Sequence, residues 1–298
     1  MTNLKKGYTF NLLSVLMMAV GPLLSKFGLL HISPSKAAII NTIAIIFASY
    51  LWGIATKKTV SFHFEKEIIL LAVFNSMGVI FLFISMDLLS PVQVGFLGRF
   101  YTVFAVILSV IILGERMSKS EIAFIILAIL GTFMFVNKGG VGNSTILGSL
   151  FALLYTFFFA LTNIFIKKTL SKDKNSNSIL FTNNSITLIF VLIYAVLVGD
   201  LFDGNYSYKG IAFIILSSVI TGFIGTILLY EALKYLRFSI ANVTRAFSPV
   251  LLAVISFPFF PIELTVLNII GAILLVVSIL LLSLGDNKKH RETENQPS

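Results

Sequence analysis

The chain has 298 residues, 57% of them hydrophobic and 12% charged, with a mean hydropathy of +0.97. That balance excludes an ordinary soluble domain and points to a polytopic membrane protein. With no cysteine, disulfides and thiolate chemistry are excluded, and His31, His63 and His290 have no metal-ligand spacing. The formal charge of +9 resides in short loops between apolar runs, where basic residues set orientation, so no nucleic-acid partner is implied.

Taken in order, the first half contains apolar segments at Tyr8–Gly28, Ser35–Ala55, Glu67–Met86, Pro91–Leu113 and Lys119–Val136. After the glycine-rich break Lys138–Gly142 come Ile146–Ile166, Ile179–Val198, Tyr208–Tyr230, Phe238–Phe259 and Leu264–Leu284. Each is long enough as a helix to cross, or nearly cross, the roughly 30 Å hydrocarbon layer. The runs are continuously apolar rather than alternating, which favours helices over barrel strands. Lys5 and Lys6 before the first run mimic a signal peptide, but no A-x-A cleavage pattern follows, so this run is read as a retained span. Placing the N-terminus inside puts Lys57, Lys58, Lys167, Lys168, Lys172, Lys174 and most other basic residues on the cytoplasmic side. Only Lys36, Lys138 and Lys209 fall outside, with Lys26 near that face. Both termini are therefore expected in the cytoplasm, and the polar tail 285–298 is expected to be disordered.

Laying Gly78 on Gly225 aligns Ile80 with Ile227, Phe100 with Phe247, Val103 with Val250, Ser109 with Ser256 and Ile122 with Ile269 without a gap. Five spans per half is an odd number, so the second half runs through the membrane upside down, a recurrent plan of secondary transporters. The expected fold is all-α integral membrane, with ten transmembrane helices as two inverted five-helix repeats. Residues 8–137 form the first repeat, 138–145 a linker and 146–284 the second.

Two charges need a reason. Arg99 is the only formal charge in Pro91–Leu113, and Arg245 is the only one in Phe238–Phe259. An arginine at mid-membrane depth costs about 2.5–3.5 kcal/mol on insertion scales, so such residues tend to line polar pathways. Arg99 lies about 12 Å below the outer end of its span and Arg245 about 10 Å above the inner end of its own. A carboxylate or phosphate could pass between the two guanidinium forks as the repeats rock; the plainer alternative is that each snorkels to its nearer interface. Lys26 and Lys167 occupy matching positions in the first helices of the two repeats. Interfacial anchoring accounts for Lys167, whereas Lys26 is a candidate gate or substrate contact. Gly21 and Pro22 should kink the first span. Asp87, Glu115, Glu121, Glu231 and Glu263 all lie near span ends, so no buried carboxylate relay is evident. No P-loop, H-E-x-x-H or Ser/His/Asp set occurs, so neither ATP-driven nor hydrolytic chemistry is expected.

The run from Ile84 to Pro91, the later Leu113-Gly114-Glu115-Arg116, and Gly131 before an apolar end resemble the EamA repeat of the drug/metabolite transporter superfamily. The stretch from Tyr230 to Leu236, Ser248-Pro249-Val250 and Gly271-Ala272 are similar in the second half. Tyr101-Thr102 stands where the family commonly has Glu-Pro, and Pro261-Ile262 replaces its usual Gly-Glu. The resemblance implies a ten-helix carrier whose central cavity is lined mainly by the first, third and fourth helices of each repeat. On those helices Asn75, Tyr101, Asn163 and Tyr230 join Arg99, Arg245 and Lys26 as candidate substrate-binding residues.

The expected function is a secondary, alternating-access exporter of a small anionic or zwitterionic metabolite, such as an amino acid or organic acid, in the cytoplasmic membrane. An organic-phosphate or nucleotide-sugar carrier is the second reading, and a non-transporting scaffold or sensor the alternative of another class. The expected partners are a small-molecule substrate and the lipid bilayer, with a homodimer open and no cofactor, metal or catalytic residue.

Overall fold

A computed structural model describes residues 3–114, 118–136, 143–170, 175–236, 248–260 and 265–294. The helices are α1 (Asn3–Leu29), α2 (Pro34–Ala55), α3 (Lys66–Leu88), α4 (Pro91–Leu97), α5 (Tyr101–Leu113), α6 (Lys119–Val136), α7 (Asn143–Leu170), α8 (Ser176–Val198), α9 (Tyr208–Ser217), α10 (Thr226–Tyr235), α11 (Ser248–Ser256) and α12 (Val266–Glu294). A 3₁₀ turn, Gly98–Phe100, joins α4 to α5, and a π-helical stretch, Ser218–Gly225, joins α9 to α10. Among the described residues there is no strand. Helix starts are written into the sequence: Ser90 and Gln93 form a reciprocal capping box, with Pro91 at the first helical position of α4. Ser118 with Glu121 before α6, and Thr265 with Asn268 before α12, repeat the device. Gly199, at φ +83°, ends α8 in a left-handed conformation that other residues adopt only at a cost.

Among the described residues, seven helical stretches are long and apolar enough to cross a membrane: Lys5–Leu29, Pro34–Ala55, Lys66–Leu88, Pro91–Ile112, Ile146–Ile166, Ser176–Val198 and Tyr208–Tyr235. Of the three other expected spans, Lys119–Val136 is helical throughout, Val266–Ser278 is a shorter apolar helix, and the first half of Phe238–Phe259 lies outside the described residues. The tail departs from expectation, because α12 continues through Glu294. The helix crosses Gly285-Asp286-Asn287, which are poor helix formers, into a run of lysine, arginine and glutamate, which are good ones, and the next proline is Pro297.

The packing follows a two-fold pattern. The principal mates are α1 with α9–α10, α3 with α7, α2 with α8, α4 with α11 and α6 with α12. Numbered within each repeat, first packs on third, second on second, fourth on fourth and fifth on fifth. The self-mated pair decides the direction of the axis. Ser35 at the start of α2 bonds Asp200 just after α8, while Asn177 at the start of α8 bonds the Ser49 carbonyl near the end of α2. These helices therefore run antiparallel, as repeats inverted about an axis in the membrane plane must.

The outer surface and the interior are both those of a protein in lipid. Leu197 (80% exposed), Ile111 (72%) and Phe47 (61%) face outward, while Ser14, Thr42, Ser76 and Thr187 are fully buried between helices. Ser76 and Thr42 donate to the carbonyl four residues back in their own helices, so each buried hydroxyl is satisfied locally.

Candidate functional site: a cavity between the repeats

A cavity of about 300 Å³ lies between the repeats, lined by α1, α3, α4 and the 3₁₀ turn on one side and α7, the α9–α10 rod and α11 on the other. Side chains of α2 and α8 complete it. Arg99 is the one charged residue among its described lining.

Local breaks in two helices shape this space. Arg99 sits on the 3₁₀ turn between α4 and α5, a departure from α geometry of the kind that often marks a functional position. The turn is braced by Tyr155 of α7, which is buried and donates its hydroxyl to the Val94 carbonyl at 3.0 Å. Gly98 lets this happen, because a Cβ there would collide with the Tyr155 hydroxyl. On the opposite side α1 runs unbroken through Pro22 against the π-helical stretch. Proline cannot donate to the carbonyl four residues back. Across this contact Thr221 donates to the Met17 carbonyl at 2.9 Å and Ser217 to the Gly21 carbonyl at 2.9 Å, while Ser14 reaches the Gly225 carbonyl at 2.7 Å. The wider π geometry thus sits where hydroxyls of one helix satisfy carbonyls of the other.

Polar lining comes largely from carboxamides. Asn75 of α3 donates to Thr187 of α8 at 3.0 Å, Asn163 to the Phe159 carbonyl at 2.7 Å, and Asn184 to the Leu180 carbonyl at 2.9 Å. Asn41 accepts from Ser218 at 2.8 Å. Asn183, 2% exposed, also lines the cavity.

A family model for EamA-like transporters matches residues 5–137 and again 146–284, one match in each half of the chain. The chain belongs to the EamA-like transporter family. A solved crystal structure, 13% identical, aligns with a TM-score of 0.65 over 95% of this chain and 98% of its own, and so shares the fold. No curated protein matches the chain significantly.

In this EamA-like transporter, Asn75, Arg99, Tyr101, Asn163 and Tyr230 are all brought to the cavity wall. Tyr230 is 3% exposed and packs in a cluster with Leu229, Ile166 and Leu180 at one end of the space. Lys26 is placed elsewhere: its ammonium donates to the Met86 and Asp87 carbonyls at 2.8 and 2.7 Å, capping the C-terminus of α3. Arg245 lies outside the described residues. The choice of binding candidates by helix passed over Asn183, Asn184, Asn41 and Thr221, because α2 and α8 are second helices and the π-helical register has no sequence signature.

Two straps cross between the repeats of the EamA fold, one on each side. After α8, the loop 199–207 folds over the start of α2. There the Lys36 ammonium, on a side chain 2% exposed, pairs with Asp203, donates to the Asn205 carbonyl at 2.8 Å, and lies 4.5 Å from the centre of the Tyr206 ring. The hydrogen bond from Lys36, with another from the Asn205 backbone, holds the Asp203 carboxyl below its ordinary range. After α2, the loop 56–65 folds over the start of α8, where the Ser61 amide donates to Ser178 and the His63 amide to Thr182, both at 3.3 Å.

Proposed function

We propose that this EamA-like transporter is a secondary, alternating-access carrier of a small anionic or zwitterionic metabolite, of amino-acid or small organic-acid size. It works in the export direction across the cytoplasmic membrane, with ten spans and both termini inside. The observation that supports this reading is the cavity itself. It is assembled from both repeats, holds about 300 Å³, and has Arg99 as the sole charge of its described lining. A guanidinium in the wall of such a cavity can offer two parallel donors to a carboxylate or phosphate. The volume is at the low end of the roughly 300–1,000 Å³ found for small-molecule sites, which favours a metabolite over a nucleotide sugar. Both repeats contribute to one site at their interface, the arrangement that lets rocking of one half against the other expose it to alternate sides.

Counterflow in proteoliposomes tests the reading. Vesicles preloaded with unlabelled amino acids or organic acids should accumulate the labelled compound when they contain the protein, and Arg99→Gln should remove that accumulation while the protein remains monodisperse. Equal accumulation in protein-free vesicles, across acids and small organic phosphates alike, would mean that the protein is not a carrier of this class.

A further inference from the structure

We infer that four asparagines of the cavity, Asn75, Asn163, Asn183 and Asn184, form a second recognition subsite, an acceptor wall that selects substrates bearing a hydrogen-bond donor, an ammonium or a hydroxyl, in addition to the anionic group. This inference rests on the proposed reading that Arg99 receives the anion.

The observation that carries it is the way the carboxamides are committed. Each has an NH2 with two N–H donors and one acceptor oxygen. Asn163 and Asn184 spend their Nδ2 on carbonyls one turn back in their own helices, and Asn75 spends its Nδ2 on Thr187. In all three the internal bond uses one N–H of the carboxamide, so the oxygen, together with the second N–H, is not consumed by it. Asn183 goes further. It is 2% exposed, it lines the cavity, and its Oδ1 is buried with no hydrogen-bond partner. A buried carbonyl oxygen left without a donor is costly, and natural proteins keep few of them. An incoming N–H or O–H would relieve that cost, so the site is built to reward a donor.

Geometry keeps this wall in place. The Asn75–Thr187 bond ties α3 to α8, and Asn183 and Asn184 are consecutive on α8, the helix whose start is strapped by the 56–65 loop. The four residues come from both repeats, so a ligand spanning from Arg99 to the wall would touch both halves. An ammonium would be met here by neutral oxygens, since the described lining contains no carboxylate. The wall therefore accepts a hydroxyl as well as an ammonium, and discriminates against a bare acid.

The test uses matched trios on one carbon skeleton: alanine, lactate and propionate, then phenylalanine, phenyllactate and phenylpropionate. Counterflow rates and thermal stabilisation are measured with purified full-length protein, wild type and the near-isosteric Asn183→Leu, Asn184→Leu and Asn163→Leu. The wild type should prefer the amino and hydroxy members over the plain acid by about tenfold or more, the worth of one hydrogen bond to a buried acceptor. Asn183→Leu should bring that ratio close to one, and Arg99→Gln should lower all three members of a trio together. A merely structural role for Asn183 would lower all three alike and leave the ratio intact, which overturns the inference, as does an unchanged ratio in all three leucine variants. A wild type that carries all members of a trio equally overturns the acceptor wall and leaves the anion reading standing. If no member of either trio is carried or stabilises the protein, both fall.

Discussion

Replacing Gly21 by alanine should injure the contact between α1 and the π-helical stretch, and the structure gives the size of the effect. A Cβ at Gly21 would lie 2.7 Å from the Thr221 Cβ and 2.9 Å from its Cγ2, and would also strike its Oγ1. Rotation about χ1 can move the last two atoms but not the Cβ, which is fixed to the backbone. Ordinary contact begins near 3.4 Å, so the helices must part by roughly 0.7 Å (3.4 − 2.7). Overpacking of this kind costs about 1–3 kcal/mol. Losing the Thr221–Met17 bond adds about 0.5–1.5 kcal/mol, and the better helix propensity of alanine returns about 0.8–1 kcal/mol. The net expectation is about 1–3 kcal/mol of destabilisation. A double-mutant cycle read by thermal unfolding in detergent isolates the clash. The cost of Gly21→Ala should largely vanish when measured in a Thr221→Gly background and only partly in a Thr221→Ala background, because that variant keeps the offending Cβ. A Gly21→Ala protein as stable as wild type, or equal recovery by both Thr221 variants, would refute the packing argument.

Other outcomes follow from the caps and straps. Ser90→Ala should cost about 1 kcal/mol by removing the capping box of α4, with Gln93→Ala costing less, measured by denaturation of the purified protein. Asp203 has a depressed folded-state pKa, so its contribution is present above the ordinary carboxylate value, near 4, and is lost as pH falls through the folded value. Asp203→Asn should therefore lower the melting temperature at pH 6, and the gap to wild type should close below about pH 4. A gap constant across that range would contradict the ionic strap.

Much of this architecture was legible in the amino-acid string because it is set locally. Ten apolar runs, the break at Lys138–Gly142 and the repeated glycines describe helices and their duplication. Arg99 announced itself because one charge in 23 apolar residues has few physical excuses. What the string hides is rotation. In a span apolar on nearly every side, periodicity does not say which face meets the partner repeat, so nothing in the sequence around Asn183 and Asn184 marks them as cavity residues. The π-helical stretch arises from hydroxyls on α9–α10 meeting α1 carbonyls, a tertiary matter with no local signal. Lys26 shows the other side of the same difficulty, since a cation at a helix end can satisfy the carbonyls of a neighbouring helix, as it does here with Met86 and Asp87, as readily as it can meet a ligand.

The central claim is that a guanidinium inside a two-repeat cavity receives the anionic end of a small metabolite. Its most direct test is ligand-induced thermal stabilisation of purified wild type, Arg99→Lys and Arg99→Gln across amino acids, organic acids and small organic phosphates. The account predicts a wild-type shift with at least one anionic or zwitterionic compound, a weaker shift with lysine and none with glutamine, because lysine keeps the charge but loses the bidentate fork. The same shift in all three proteins would contradict it.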